Sequence, residues 1–189
     1  MFTRGGKGAA AVRSPCASQT TRHSWPGNMP DETHKKVLVL GLGNDILSDD
    51  AVGLLVARAV RDRLEGGESI AVVESVEMGL ALLDFVVGYR DLIVVDAILT
   101  GQAKPGSVHE VAPGQLQVLP KASPHFVGVG ETLALGRTLG MAMPERVTIL
   151  AVEVADPFTM GTQMSPSLRT ALPEVVDRVL AKARSLAAE

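Results

Sequence analysis

Two carboxylates and one imidazole stand where this chain most readily does chemistry. Asp50 lies in "VLVLGLGNDILSDDAVG" (37–53), just after a glycine-rich turn. Asp96 falls near the end of the apolar run "DLIVVDAI" (91–98), and His125 lies in "KASPHFVG" (121–128). Together they offer oxygen and nitrogen ligands to a divalent transition metal, with coordination positions left open. A structural zinc site would take four protein ligands. Three ligands and a vacancy imply that something else arrives.

Each residue also has an ordinary reading. Asp49 and Asp50 fall where a first helical turn is expected, and an acid there gains roughly 0.3–1 kcal/mol from the helix dipole. Asp96 interrupts an apolar strand and would cost free energy if it were merely buried. His125, between Pro124 and Phe126, reads equally as a loop histidine. His109 sits in an alternating stretch and is expected to be exposed on an edge strand, while His23 and His34 belong to the N-terminal segment.

Other chemistries are poorly provided for. "GLGNDI" has Ile46 where a third glycine would complete a dinucleotide fingerprint, and no P-loop lysine follows. Two aspartates at this turn would repel a phosphate, so Gly41 and Gly43 are expected to serve the turn itself. Ser75 and Ser123 lack the G-x-S-x-G setting of a nucleophile elbow. Cys16 is the only cysteine, which excludes an intramolecular disulfide and a cysteine-based zinc site. That usage fits a reducing compartment, so a cytoplasmic location is expected.

Composition narrows the class. The chain has 189 residues, the size of one ordinary domain. Hydrophobic residues make up 46% and aromatics 3%, so the core is built from Val, Leu, Ala and Ile. This suits a buried parallel sheet with helices on its faces and argues against a base-stacking nucleic-acid binder. Arg4, Lys7, Arg13 and Arg22 give a basic start with no acid before Asp31, so all 21 acidic residues fall in the remainder. Such an acidic body is a poor nucleic-acid ligand, and no apolar run approaches a membrane span.

Residues 1–35 are expected to be disordered or loosely attached. Their composition matches a transit peptide, or an extended N-terminus with Met29 near the natural start of the domain. The domain proper, 36–189, alternates strand and helix. Strands are expected at 36–43, 69–76, 91–98 and 145–155, with an edge strand at 106–112. Helices are expected at 49–66, 79–89, 129–142 and 165–189. The first would have Ser48 as N-cap and Gly66-Gly67 as its stop. The last carries Pro173, which implies a kink or a break there. The order gives a three-layer α/β/α sandwich with a mostly parallel sheet of about five strands. Ligands in such folds sit beyond the carboxyl ends of the strands, a test that Asp50, Asp96 and His125 all pass.

In their order and rough spacing, "GLGNDILSDDAVG", "DAI" and "SPH" resemble the hydrogenase maturation proteases, which process the large subunit of [NiFe] hydrogenases. The resemblance runs from about Lys36 to the last helix, and G-x-G-N-x-x-x-x-D-(D/E)-x-x-G is its most specific part. It implies an endopeptidase that removes a C-terminal extension from the large-subunit precursor once nickel has been inserted, with nickel as the recognition signal. The implied metal-contacting positions are Asp50, Asp96 and His125. Many members carry Glu where this chain carries Asp50, one methylene longer. Some have a "GGT"-like turn where this chain reads "ESVEMGL" (74–80), a loop expected to contact substrate. No tightly bound cofactor is expected, because the metal arrives with the substrate. Whether metal polarises the scissile carbonyl or activates water, or an aspartate acts as general base, stays open at this level. A non-catalytic nickel-sensing module of hydrogenase assembly is the alternative reading.

Overall fold

A computed structural model describes residues 36–65, 69–111 and 128–189, together with Met1. The chain divides into two units, Met1–Pro30 and Asp31–Glu189, and the fold that follows is that of the second. The expectation for residues 1–35 falls outside the described residues, as do the Gly66-Gly67 stop and His125.

Four apolar runs become parallel strands: β1 (Val37–Leu42), β2 (Ile70–Ser75), β3 (Asp91–Ile98) and β5 (Arg146–Glu153). β4 (Val108–Val111) joins antiparallel to β5 at one edge. The order across the sheet is β2-β1-β3-β5-β4. β3 is therefore central, and it is buried at all eight positions. α1 (Val52–Arg63) and α4 (Pro166–Ala188) cover one face, packing Val52, Val56, Val175 and Val179 over Val39, Ile93 and Val95. The other face is covered by a 3-10 turn (Gly79–Leu82) leading into α2 (Leu83–Val86), and by α3 (Val129–Thr138). Here Leu82, Val86 and Leu133 meet Leu38, Leu40 and Val94. The result is the three-layer sandwich that the alternating pattern implies.

Several expected details change. α1 begins at Val52 rather than Asp49, its N-cap is Ala51, and no side chain caps it. Ser48 is drawn away instead: its hydroxyl donates to the Thr159 carbonyl at 2.9 Å. The helix expected at 79–89 shrinks to the 3-10 turn and one turn of α2, between Gly79 (φ 62°) and Gly88 (φ 87°). α4 runs unbroken through Pro173. The proline forfeits one backbone hydrogen bond, while Val175, Val176, Val179 and Leu180 keep the helix buried beyond it.

At the amino end of the sheet, the buried Asp91 accepts from Arg90 at 2.8 Å and from Arg146. Burial pushes its pKa up, but hydrogen bonds from Arg146 and Arg90 outweigh that and leave it below the ordinary 3.8. This ion cluster ties β3 to β5 at the end away from the candidate site.

Candidate active site

The chain steps from β1 to β2 on one side through α1, then crosses to β3 on the other side of β1. The gap beyond β1 and β3 is thus the topological switch point, where open α/β sheets bind ligands. Asp50 follows β1 and Asp96 lies on β3, so both carboxylates flank this gap. Both are buried, Asp50 at 5% exposure and Asp96 at 0%. Asp96 accepts a hydrogen bond from the Ala97 amide at 2.8 Å.

Glycine lets the start of α1 approach the sheet closely. A Cβ on Gly53 would lie 2.1 Å from the Leu42 carbonyl oxygen and 2.3 Å from that of Val95. The first turn of α1 therefore rests directly on the end of β1 and on β3 at Val95. The backbone leading into α1, with Asp50 three residues before Gly53, is thereby held close to β3 at Val95, the neighbour of Asp96. Gly43 has a matching role, since a Cβ there would lie 2.2 Å from the Asp50 carbonyl oxygen. The glycine spacing of the turn is a close-packing device and not a phosphate cradle.

The adjacent acids have different tasks. Asp49 is fully buried. One of its oxygens accepts from the Ala155 and Asp156 amides, both at 3.1 Å, and the other from Ser165 at 2.7 Å. The expectation that Asp49 supports the start of its own helix is corrected. It fastens the loop after β5 and the approach to α4 instead. Three amide donors occupy its oxygens, so Asp49 is committed to holding the fold, and Asp50 stays the expected ligand of the pair. Backbone bonds clasp the turn after β1 to that same loop after β5, Ser48 N–H to the Thr159 carbonyl at 2.9 Å and Gly161 N–H to the Ile46 carbonyl at 3.0 Å.

Two residues alter the reading further along the edge. Glu153, at 1% exposure, accepts from the Thr100 amide at 2.8 Å, the Thr100 hydroxyl at 2.7 Å and the Gly101 amide at 2.8 Å. His109 Nε2 lies 3.1 Å from it, so this histidine is half-buried and paired, not simply exposed. Burial pushes the Glu153 pKa up, but the hydrogen bonds, led by that of the Thr100 hydroxyl, bring it below the ordinary 4.5. Sequence reasoning passed over Glu153. The signal was the one used for Asp96, an acid interrupting an apolar strand near its carboxyl end. Its task is to hold the loop after β3.

His125, the third expected ligand, lies outside the described residues. Among the described residues no group of three or more His, Cys, Asp or Glu side chains is arranged to hold a metal. The donor set that is described consists of two buried carboxylates at one sheet edge. Carboxylate oxygen suits a divalent cation and accepts imidazole as a further ligand.

Comparison with known proteins agrees with this architecture. A hydrogenase maturation protease family profile matches residues 54–182. The hydrogenase 2 maturation protease of Escherichia coli is 26% identical over 156 residues, covering 82% of this chain and 94% of that protein. The hydrogenase expression/formation protein HupD of Rhizobium leguminosarum is 28% identical over 153 residues, covering 79% and 75%. Among solved structures, the hydrogenase maturating endopeptidase HybD of E. coli superposes with a TM-score of 0.69 at 26% identity, covering 79% of this chain and 93% of that one. A profile match over most of the domain, with relatives and a solved structure of the same fold named as maturation proteases, shows that this chain belongs to the hydrogenase maturation protease family and is a peptidase.

Proposed function

We propose that this chain is the endopeptidase that removes the C-terminal extension of a nickel-loaded [NiFe] hydrogenase large-subunit precursor. The observation that carries the reading is the burial of Asp50 and Asp96 on either side of the switch point. In this reading both carboxylates, with His125, contact the nickel that the precursor brings, and the protease keeps no tightly bound cofactor of its own. Bound nickel supplies Lewis acidity beside the scissile carbonyl. Asp50 and Asp96 hold the loaded precursor against the sheet edge. Hydrolysis then adds the hydroxyl of a water to the carbonyl carbon and leaves its proton with the departing amine. A precursor without nickel has no bridge to the carboxylates, so the check is a required interaction.

The partner is a protein, with no nucleic acid involved. No helix among the described residues is long and apolar enough to cross a membrane, and the single Cys16 fits the reducing cytoplasm where we place the reaction. Mass spectrometry of a precursor mixed with the protein tests the proposal. Loss of a C-terminal peptide only from the nickel-loaded form is expected. Association without any mass loss would instead support a non-catalytic nickel-sensing role.

A further inference from the structure

Large apolar side chains are exposed at the sheet edge that carries the carboxylates. Apart from Met1, Val87, Leu135 on α3 and Leu139 just after it, every exposed large apolar residue among the described residues lies just beyond β1, β2 or β5. They are Ile46 after β1, Val76, Met78 and Leu80 after β2, and Phe158 and Met160 after β5. Phe158 is 74% exposed and Met160 76%. Neither position is soft. Met160 forms an antiparallel bridge with Leu47, the flanking backbone bonds clasp the two loops, and Asp49 holds the base of the later one. Apolar groups exposed on a preorganised support lose little entropy on binding, which is how interface anchors are built.

The arrangement has a direction. In the strand order β2-β1-β3-β5, the β2 loop lies on one side of Asp50 and Asp96 and the β5 loop on the other. Three inter-strand steps separate them, about 14 Å at the usual strand spacing. An extended chain crosses that distance in about four residues. The charge on the loops after β1, β2 and β5 has one sign, and the loop after β3 between them carries a single lysine, Lys104. Asp45, Glu77 and Asp156 are exposed, and residues 43–51, 76–82 and 154–165 contain no lysine or arginine.

Resting on the peptidase reading above, we infer that this edge binds the precursor as an extended segment lying across the strand tips. The segment carries net positive charge and apolar side chains within about two residues on either side of the cut bond. Phe158 and Met160 receive one flank, and Met78 and Leu80 the other.

Steady-state processing of the nickel-loaded precursor, followed by mass spectrometry, tests this. The variants are the double substitutions Phe158→Ala with Met160→Ala, and Met78→Ala with Leu80→Ala. Each is expected to raise KM by about tenfold with kcat within about twofold, the pattern of lost uniform binding. Thermal midpoints should stay unchanged, since these side chains lie outside the core. Phe158→Leu should recover most of the loss, and added salt should raise KM of the unsubstituted protein. An unsubstituted protein that cleaves the precursor while both double variants keep its KM overturns the inference alone. An unsubstituted protein that neither binds nor cleaves the precursor overturns the endopeptidase proposal and this inference with it.

Discussion

Asp49 and Asp50 are neighbours in sequence, both acidic and both buried, yet the structure predicts opposite phenotypes for them. Asp49→Ala leaves the amides of Ala155, Asp156 and Ser165 without their acceptor. A hydrogen bond to a charged acceptor contributes about 1.5–3 kcal/mol. Ala155 and Asp156 are exposed, so water takes over part of their loss, while Ser165 is half-buried and harder to re-solvate. Removing the charge also relieves its desolvation penalty. The net loss comes to about 3 kcal/mol, a large share of the 5–15 kcal/mol that holds a typical domain together. Asp49→Asn keeps one acceptor oxygen but turns an amide N–H toward a backbone donor, so about half that loss is expected. Asp50→Asn should leave stability within about 1 kcal/mol and abolish processing. Urea unfolding followed by circular dichroism, beside the processing assay, separates the two. An Asp49→Ala protein with the unsubstituted urea midpoint would refute the assignment. So would an Asp50→Asn protein that is the less stable of the two.

Three further expectations follow from the fold. Asp91→Ala removes the carboxylate that Arg90 and Arg146 share at the far end of the sheet, while Arg90 keeps the Leu186 carbonyl and Arg146 keeps Glu189, and should cost about 1.5–3 kcal/mol in urea unfolding, without changing kcat per folded molecule. Asp91 and Glu153 both have folded pKa values below their ordinary 3.8 and 4.5. Their contribution is therefore fully present above those ordinary values and is lost as pH falls through the lower folded ones, so the urea midpoint should hold level from neutral pH to about 5 and drop below about 4. Gly53→Ala drives a Cβ into two backbone carbonyls and should cost about 2 kcal/mol or more, whereas Gly130→Ala, in α3 with open space around it, should gain about 0.5–1 kcal/mol; thermal denaturation measures both.

The sheet was legible because its strands are apolar runs of the right length between glycines and charges. Residues 91–98 read as a central strand and are one, because only a strand covered on both faces tolerates such a run. Asp96 stood out for the same reason. The helix boundaries were less legible. Ser48 has the chemistry of an N-cap, but its partner is Thr159, far along the chain. Asp49 looked like a local dipole partner, while its actual donors begin 106 residues later at Ala155. Glu153 was hidden by the same distance, since Thr100 and Gly101 lie 53 and 52 residues before it. Local pattern reports which residues are buried and says little about which remote backbone a buried acid will meet.

The clasp between the first turn and the last loop also bears on when the molecule becomes competent. β1, α1 and β3 are all synthesised before the segment that fastens Asp49. A growing chain that stops short of Ser165 has its glycine turn, Asp50 and Asp96 but not the last of the amides that lock the turn in place. Closures over so long a stretch of chain come late in folding. The turn that carries Asp50 is therefore fully fastened only once synthesis has passed Ser165 and α4 has docked, so a half-made or partly unravelled copy presents a loose candidate site.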